Sequence, residues 1–367
     1  MNNDNLRLIV LENCKEFGMK VNKNLKKIRN NNKNYIIPIN SSRFSNGEGK
    51  IKLMDSVRDK DIYIISDVGN YGMSYKLHGT DHIISPDEHF QDIKRVISAT
   101  CGHATKINVV MPLLYQSRQH KRKGRESLDC AIALQELEEM GVNNIITFDV
   151  HDPNVSNAIP LLPFENFYPT HTILNDLIGN EKINYDNLLV ISPDMGAMER
   201  ARYYAEMLGS DVSVFYKRRD LSKVVNGKNP IVEHVYMGRD VKNCDCLVVD
   251  DMIASGSSMI EVAAELKKRG ANKIYFIATF TLLTEGTQIF IDAYKNKLFD
   301  RLYTTNLSYV PDTIKKLPWY KEVDSSMQLA TVIDKLNNKE SIQGLFESKI
   351  EILKKIEEKK KNCFYIL

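Results

Sequence analysis

Long apolar runs are missing from this sequence. No apolar segment approaches the ~18 residues of a membrane-spanning helix, and none near the N terminus resembles a signal peptide. Charge of one sign is also scarce. The 50 Lys and Arg against 47 Asp and Glu leave a net charge of +3, which argues against a nucleic-acid partner. The six cysteines lack zinc-ligand spacing, and the one close pair, Cys244 and Cys246, is expected to be reduced and buried. We therefore expect a cytoplasmic protein with no membrane contact.

Glycine-rich phosphate loops are missing too. No segment has the form G-x-x-x-x-G-K-[ST], and no G-x-G-x-x-G follows the first predicted strand. The GNYG stretch at 69–72 is read as a turn, and it lacks the lysine that a P-loop requires. If the protein binds a nucleoside triphosphate, other basic residues must hold its phosphates.

What the sequence does contain is a regular alternation of strands and helices, which predicts an α/β fold with mainly parallel sheets flanked by helices. The strand-like segments are 61–68, 106–114, 144–150, 187–194, 211–219, 246–249 and 273–283. The helical segments are 90–100, 127–141, 199–209 and 259–270. The two halves share this rhythm, and 367 residues are enough for two domains.

The expected domain limits follow from composition. Residues 1–35 are rich in Asn and Lys and are expected to form a polar surface extension. We expect an N-terminal domain over 36–166 and a C-terminal domain over 167–330, joined near 165–171. Residues 331–367 are expected to form a C-terminal segment with a charged amphipathic helix, whose lysines form a solvated face.

The stretch DDMIASGSSM at 250–259 joins a predicted strand to a predicted helix. Small residues and a helix N terminus let backbone N–H groups approach an anion, so the turn suits a phosphate. The carboxylates of Asp250 and Asp251 would repel phosphate, and they are expected to face sugar hydroxyls, a metal ion or both. The alternative is an ordinary helix capped by Ser255 or Ser257.

Four further clusters follow predicted strands. The loop at 117–127 is strongly cationic and suits a triphosphate, unless it is only a solvated loop. Alternation places Asp149 and His151 on one side, where they could hold a divalent metal, although a lone histidine is more often structural. Asp194 could be a second metal ligand, and the last cluster is the basic run at 217–219. Ligands of open α/β sheets bind beyond the carboxyl ends of strands, which favours a shared site.

Together these residues resemble the ribose-phosphate pyrophosphokinase family from about residue 43 to residue 329. RFSNGE (43–48) is similar to the family's flag loop, and SRQHKRK (117–123) is similar to its ATP segment. TFDVHD (147–152) and ISPDMG (191–196) resemble its metal-binding segment and the turn that follows it in the chain. YKRR (216–219) resembles the start of the catalytic loop, and VVDDMIASGSSM (248–259) resembles the ribose-5-phosphate loop. Six segments in the family's order make the resemblance specific.

The resemblance implies two phosphoribosyltransferase-like domains and a role for each segment. ATP and ribose 5-phosphate would be the substrates, Mg²⁺ the cofactor, and a homo-oligomer, a dimer or a hexamer, the assembly. Catalysis would use Lys217 and Arg219, and the metal would be bound by His151 and Asp194. The implied ATP-binding residues are Phe44, Asn46, Glu48, Arg118 and Gln119, the first three reaching adenine across a subunit interface. The implied ribose-5-phosphate-binding residues are Asp250, Asp251, Ser255, Gly256, Ser257 and Ser258.

The chain departs from the family pattern at several positions. Ala254 stands where the third Asp of the ribose-5-phosphate loop is usual, and Ser257 stands where Gly is usual, so Gly256 would have to take the positive φ. His120 and Asn46 both replace Asp, and the chain is longer than the family's common form between Tyr71 and about Ser85. Two alternatives stay open: a non-catalytic regulatory paralogue, and a phosphoribosyltransferase that consumes the diphosphate.

Overall fold

The computed structural model describes residues 5–219 and 231–364, and the chain divides into two compact units. Unit 1 comprises three segments: Met1–Pro169, Asn306–Pro311 and Asp324–Gln343. Unit 2 comprises Thr170–Thr305, Asp312–Val323 and Gly344–Leu367. Among the described residues, no helix has the length and apolar character needed to cross a membrane.

A five-stranded parallel sheet forms the centre of unit 1, with strand order β1-β4-β7-β8-β9. The strands are β1 (Leu6–Val10), β4 (Asp61–Ile65), β7 (Lys106–Val110), β8 (Asn144–Phe148) and β9 (Phe164–Phe167). Every residue of β4 and β8 is buried, as expected for a parallel sheet that is covered on both faces. The continuous apolar runs that predicted these two strands are therefore core segments.

Four helices and two hairpins accompany this sheet. The helices are α1 (Lys15–Ile28), α2 (Pro86–Ala99), α3 (Asp129–Glu139) and α9 (Ser326–Asn337). One hairpin pairs β2 (Ile39–Arg43) with β3 (Gly49–Leu53), and the other pairs β5 (Ser74–Leu77) with β6 (Thr80–Ile83). Helix α2 begins with a reciprocal capping box between Ser85 and Glu88 and with Pro86 in its first turn, which together fix that turn.

The prediction of a polar surface extension over residues 1–35 was wrong. Strand β1 is an edge strand of the sheet, and α1 buries Phe17, Val21 and Leu25 at helical spacing. The asparagines that suggested a surface segment are partly buried with partners: Asn24 Nδ2 donates to Ser326 Oγ over 2.9 Å. Because hydrogen bonding offsets the cost of burying an amide, composition alone misjudged this segment.

Unit 2 is built on a seven-stranded sheet with strand order β12-β11-β10-β13-β14-β15-β16. All neighbouring pairs are parallel except β11 and β12. The strands are β10 (Leu188–Ser192), β11 (Asp211–Arg219), β12 (Ile231–Met237), β13 (Asp245–Ile253), β14 (Ile274–Thr281), β15 (Arg301–Thr305) and β16 (Tyr320–Val323). With unit 1, this confirms the predicted α/β fold.

In the part of unit 2 that the structure describes, there are six helices. They are α4 (Thr170–Asn180), α5 (Met198–Leu208), α6 (Ser257–Lys268), α7 (Gln288–Lys295), α8 (Asp312–Lys315) and α10 (Lys349–Phe364). Short 3-10 helices cover Glu12–Cys14 and Pro153–Ala158 in unit 1 and Tyr185–Asn187 in unit 2. Helix α10 is the expected charged amphipathic helix, and it buries Ile352 and Ile356 in the core of unit 2.

The C-terminal third does not follow the expected limits of 167–330 and 331–367. Residues 306–311 and helix α9 belong to unit 1, although unit 2 precedes and follows them in the chain. Arg29 Nε, at the C-cap of α1, forms an ion pair with Asp334 Oδ1 of α9 over 2.6 Å, with both side chains mostly buried. Contacts between residues so far apart in sequence leave no local pattern. Composition therefore could not show that residues 306–311 and α9 belong to unit 1.

Candidate active site

Asp250 and Asp251 lie inside strand β13, which continues to Ile253 instead of ending at the predicted Val249. Asp251 is 2% exposed and Asp250 is partly exposed. The turn itself is therefore short, residues 254–256, before α6 begins at Ser257. The acid pair thus lies at the carboxyl end of a central parallel strand, directly ahead of a helix N terminus. This is where open α/β sheets bind ligands.

Gly256 makes the sharp turn into α6. Its φ is +86°, and a Cβ on this residue would lie 2.2 Å from Phe290 Cζ, so both conformation and space require glycine. Gly256 thus takes the positive φ, as expected with serine at position 257. The helix N-cap is Gly256 itself and makes no side-chain capping bond, so the alternative of a Ser255 or Ser257 cap was wrong.

The serine hydroxyls gather around this turn. Ser255 Oγ lies 3.1 Å from Ser257 Oγ, and the backbone N–H of Ser257 lies 3.5 Å from Ser255 Oγ. Hydroxyl donors and the positive end of the helix dipole are therefore present at the same turn. This combination is suited to the oxygens of a phosphate group.

The two carboxylates are electrostatically unequal. Burial, followed by the neighbouring Asp251 carboxylate, raises the pKa of Asp250 well above its ordinary value, and Asp194 adds to the effect. Arg200 opposes it, and its Nη1 lies 3.9 Å from Asp251 Oδ1. Like charges so close favour one shared proton, or a ligand that donates hydrogen bonds, and sugar hydroxyls are such a ligand.

Asp194 follows β10 and organises the next turn. Its Oδ1 accepts hydrogen bonds from the backbone N–H groups of Gly196 (2.8 Å) and Ala197 (3.2 Å), just before α5. Its carboxylate acts on Asp250, so the structure brings this predicted metal ligand into the electrostatic field of the acid pair. Within the described residues, no group of three or more His, Cys, Asp or Glu forms a metal cluster.

The cationic segment 117–127 forms the loop between β7 and α3 in unit 1. Arg118 is exposed, whereas Gln119 Nε2 donates to the Ser127 carbonyl over 2.7 Å and closes the loop on itself. His120 Nε2 lies 3.2 Å from Asp152 Oδ2. Partial burial acts to raise the pKa of Asp152, but hydrogen bonds from Asn154 and the charges of His120 and Lys121 lower it overall.

The segment after β8 that resembles the family's metal-binding segment differs from the expected alternation. Asp149 is buried and has a φ of +42°, whereas His151 is exposed, so the regular alternation of a strand does not continue through these residues. The strand has already ended at Phe148, and a left-handed residue breaks the period of two. The His151 ring is 5.3 Å from that of His120, which places the segment beside the cationic loop.

Phe44, Asn46 and Glu48 form the turn of the β2–β3 hairpin, residues 44–48, which we call the flag turn. The N–H of Phe44 donates to the Glu48 carbonyl over 2.8 Å, and the N–H of Glu48 donates to Asn46 Oδ1 over 3.2 Å. Phe44 is 53% exposed at the tip of this hairpin.

Lys217 and Arg219 lie in the last residues of β11, where the register with β12 shifts between Arg218 and Arg219. Their side chains lie outside the described residues, so their catalytic role stays a prediction. Arg200 is the residue that sequence reasoning missed. It stands in the first turn of α5, and only its contact with Asp251 reveals it.

Two family models match the chain. The N-terminal domain of ribose phosphate pyrophosphokinase matches residues 6–141, and the phosphoribosyl synthetase-associated domain matches residues 217–347. The ribose-phosphate pyrophosphokinase of Mycoplasma genitalium is 31% identical over 315 residues, which cover 85% of this chain and 87% of that protein. The one from Ralstonia nicotianae is 28% identical over 306 residues, covering 83% and 88%.

The fold comparison agrees. The crystal structure of phosphoribosylpyrophosphate synthetase from Mycobacterium smegmatis superposes with a TM-score of 0.74 at 19% identity, covering 91% of this chain and 99% of that one. The matched lengths span nearly all of each relative, and the acid pair and glycine turn lie within the matched region. The resemblance noted from the sequence is confirmed: this chain belongs to the ribose-phosphate pyrophosphokinase family.

Proposed function

We propose that this chain transfers the β,γ-diphosphoryl group of ATP to the anomeric hydroxyl of ribose 5-phosphate, giving phosphoribosyl diphosphate and AMP. The observation that carries the proposal is the acid pair of β13 followed by the glycine turn into α6. The pair accepts hydrogen bonds from ribose hydroxyls, and the turn donates to the 5-phosphate. A single short segment therefore matches both ends of the sugar phosphate.

In this proposal, Asp250 and Asp251 hold the ribose while Ser255 to Ser258 hold its phosphate. The anomeric oxygen forms a bond to the β-phosphorus. At the same time the bond between the β-phosphorus and the bridging oxygen of the α-phosphate breaks, and AMP leaves. Such a reaction needs alignment and charge compensation more than covalent catalysis. Lys217 and Arg219 supply positive charge to the transferred group, and Arg118 and Gln119 hold ATP in the same scheme.

Mg²⁺ is the proposed cofactor, and it would neutralise charge on the phosphates of ATP. His151 and Asp194 are its proposed protein ligands. Mg²⁺ keeps several waters and binds through one or two carboxylates plus substrate phosphates. Asp194 offers one such carboxylate, in the turn that precedes α5.

The proposal includes a homo-oligomer in the cytoplasm, in which the flag turn completes the adenine site of a neighbouring subunit. The exposed Phe44 ring supports this, because an aromatic face can stack on adenine. The enzyme should then lose activity when it is diluted until size-exclusion chromatography shows only monomers. Full activity of a strictly monomeric form would contradict the shared site.

The direct experiment measures AMP and phosphoribosyl diphosphate formed from ATP and ribose 5-phosphate, with and without Mg²⁺. We expect equal amounts of both products, and only with the metal. A regulatory paralogue is the second candidate, favoured by Ala254 in place of the loop's third carboxylate. Binding of both substrates without product would support that candidate and reject the catalytic proposal. Consumption of phosphoribosyl diphosphate with a nucleobase would instead indicate a phosphoribosyltransferase.

A further inference from the structure

The β5–β6 hairpin lies directly against the flag turn of unit 1. A Cβ on Gly47 would be 3.1 Å from Tyr75 Oη and 3.4 Å from Leu77 Cδ1, and both of those residues are in β5. These distances place this part of the turn beside the second hairpin, and Gly47 also has a φ of +93°. The hairpin falls within 71–85, the stretch in which the sequence is longer than the family's common form.

Tyr75 joins three parts of unit 1. The Arg43 guanidinium carbon lies 5.7 Å from the centre of the Tyr75 ring, a cation–π contact at the base of the flag turn. Tyr75 Oη donates a hydrogen bond to Glu88 Oε1 of α2 over 2.9 Å. The ring therefore sits between the flag hairpin and a helix whose first turn is fixed by its own capping box.

Helix α2 anchors both hairpins on successive turns. Besides the bond from Tyr75, Glu88 Oε2 accepts the backbone N–H of Ser85 over 2.9 Å and lies 3.0 Å from His82 Nε2 of β6. One turn further, Asp92 Oδ2 accepts a hydrogen bond from Arg43 Nη2 over 2.6 Å. The two hairpins are thus held side by side by two carboxylates of one helix.

The charge state of Glu88 fits this role. Partial burial acts to raise its pKa, but hydrogen bonds from Ser85, Tyr75 and His82 outweigh burial and lower the pKa to about 2. Glu88 is therefore ionised throughout the neutral range, and the bonds it accepts from the β5–β6 hairpin are charge-assisted.

We propose that the β5–β6 hairpin braces the flag turn, and that Tyr75 is the positioning residue that fixes the turn for binding the adenine of ATP. The link to ATP rests on the function proposed above, whereas the bracing of the turn does not. Tyr75 acts through the turn, because it contacts Arg43, lies beside Gly47 and belongs to neither implied binding segment.

The first test is hydrogen exchange at the amides of Phe44, Gly47 and Glu48 in the full-length chain. All three are hydrogen-bonded inside the flag turn. In Tyr75→Ala we expect about tenfold faster exchange at these amides, and in Tyr75→Phe a smaller increase, because only the hydroxyl bond is lost. The matched control is Lys76→Ala on the same strand, whose side chain is 66% exposed. Unchanged exchange in Tyr75→Ala would overturn the brace.

The second test separates the brace from catalysis. We expect Tyr75→Phe to raise the KM for ATP about fivefold, with the KM for ribose 5-phosphate and kcat near wild type. An inactive wild-type chain would reject the proposed function and leave the exchange result to decide the brace. Faster exchange together with an unchanged KM for ATP would overturn the link between the turn and adenine.

Discussion

The backbone N–H of Tyr309 donates a hydrogen bond to Asp67 Oδ2 over 2.7 Å, although the two residues are 242 positions apart. Ser308 Oγ donates to the same carboxylate, and so does the N–H of Gly69. Asp67 is 2% exposed, and burial raises its pKa to about 6 even though all these donors act to lower it. The segment 306–311 is therefore held to the rest of unit 1 by a carboxylate whose pKa is about 6.

This pKa sets a pH dependence of stability. The folded value, about 6, exceeds the ordinary value of about 3.9, so the folded state binds the proton more tightly. The contribution of Asp67 to the free energy of unfolding therefore falls as pH rises through this window, by about 3 kcal/mol in total. In Asp67→Asn this dependence should disappear. Urea unfolding of both proteins from about pH 3.5 to about pH 6.5, a range that includes both pKa values, measures the difference. Parallel curves would contradict the prediction.

Ser308→Ala provides the opposing control for Asp67. It removes a donor that favours the charged carboxylate but keeps the titrating group. The pH dependence should then persist and extend to higher pH.

Gly256→Ala should destabilise unit 2 strongly. The added Cβ would meet Phe290, which is fully buried and stacks on Trp319 at 5.5 Å, so the ring has little room to move. Positive φ and overpacking together should cost about 3 kcal/mol. Gly286→Ala is the matched control, because its φ is +81° but nothing lies within 4 Å of its Cβ position. It should cost about 1 kcal/mol. Equal losses of unfolding free energy would show that space at Gly256 is unimportant.

Asp250→Asn should raise stability and abolish activity. The substitution removes one of two adjacent carboxylates that repel each other, and the amide oxygen can still accept the N–H of Asp251, now 2.9 Å away. We expect Tm to rise by about 2–4 °C, equivalent to about 1 kcal/mol. Asp194→Asn should give a smaller rise in Tm, because the charge of Asp194 raises the pKa of Asp250 less than the charge of Asp251 does. A lower Tm for Asp250→Asn would mean that the repulsion is already compensated.

Lys217→Ala should lower kcat about 100- to 1,000-fold with little change in the Kd for ATP, because its charge is proposed to act mainly in the transition state. Lys268→Ala, which removes an exposed cation from α6, should leave both constants unchanged. Single-turnover kinetics and equilibrium ATP binding separate the two effects. A variant with normal turnover would remove this lysine from the mechanism.

Sequence reasoning succeeded where the signal is local. The apolar run of β4 predicted its strand, and the order of the acids and small residues in 250–258 predicted the strand-to-helix turn between β13 and α6. It failed for α1, whose buried Asn24 is satisfied by Ser326, 302 residues away. It also missed Arg200, because only the packing of α5 brings that side chain to Asp251. Nothing in the sequence alone could show that Tyr75 meets Gly47.

The three-segment composition of unit 1 has a consequence for how the protein is made. A ribosome delivers strands β1 to β9 early, but helix α9, which Asn24 and Arg29 hold through Ser326 and Asp334, emerges only after β10 to β16. Unit 1 therefore cannot be completed until most of unit 2 has been synthesised. Until then, the face of α1 that contacts α9 stays uncovered. If the gene were divided between the codons for Pro169 and Thr170, neither fragment would contain all of unit 1. Two co-expressed fragments could then form unit 1 only if α9 of the second fragment packed against α1 of the first.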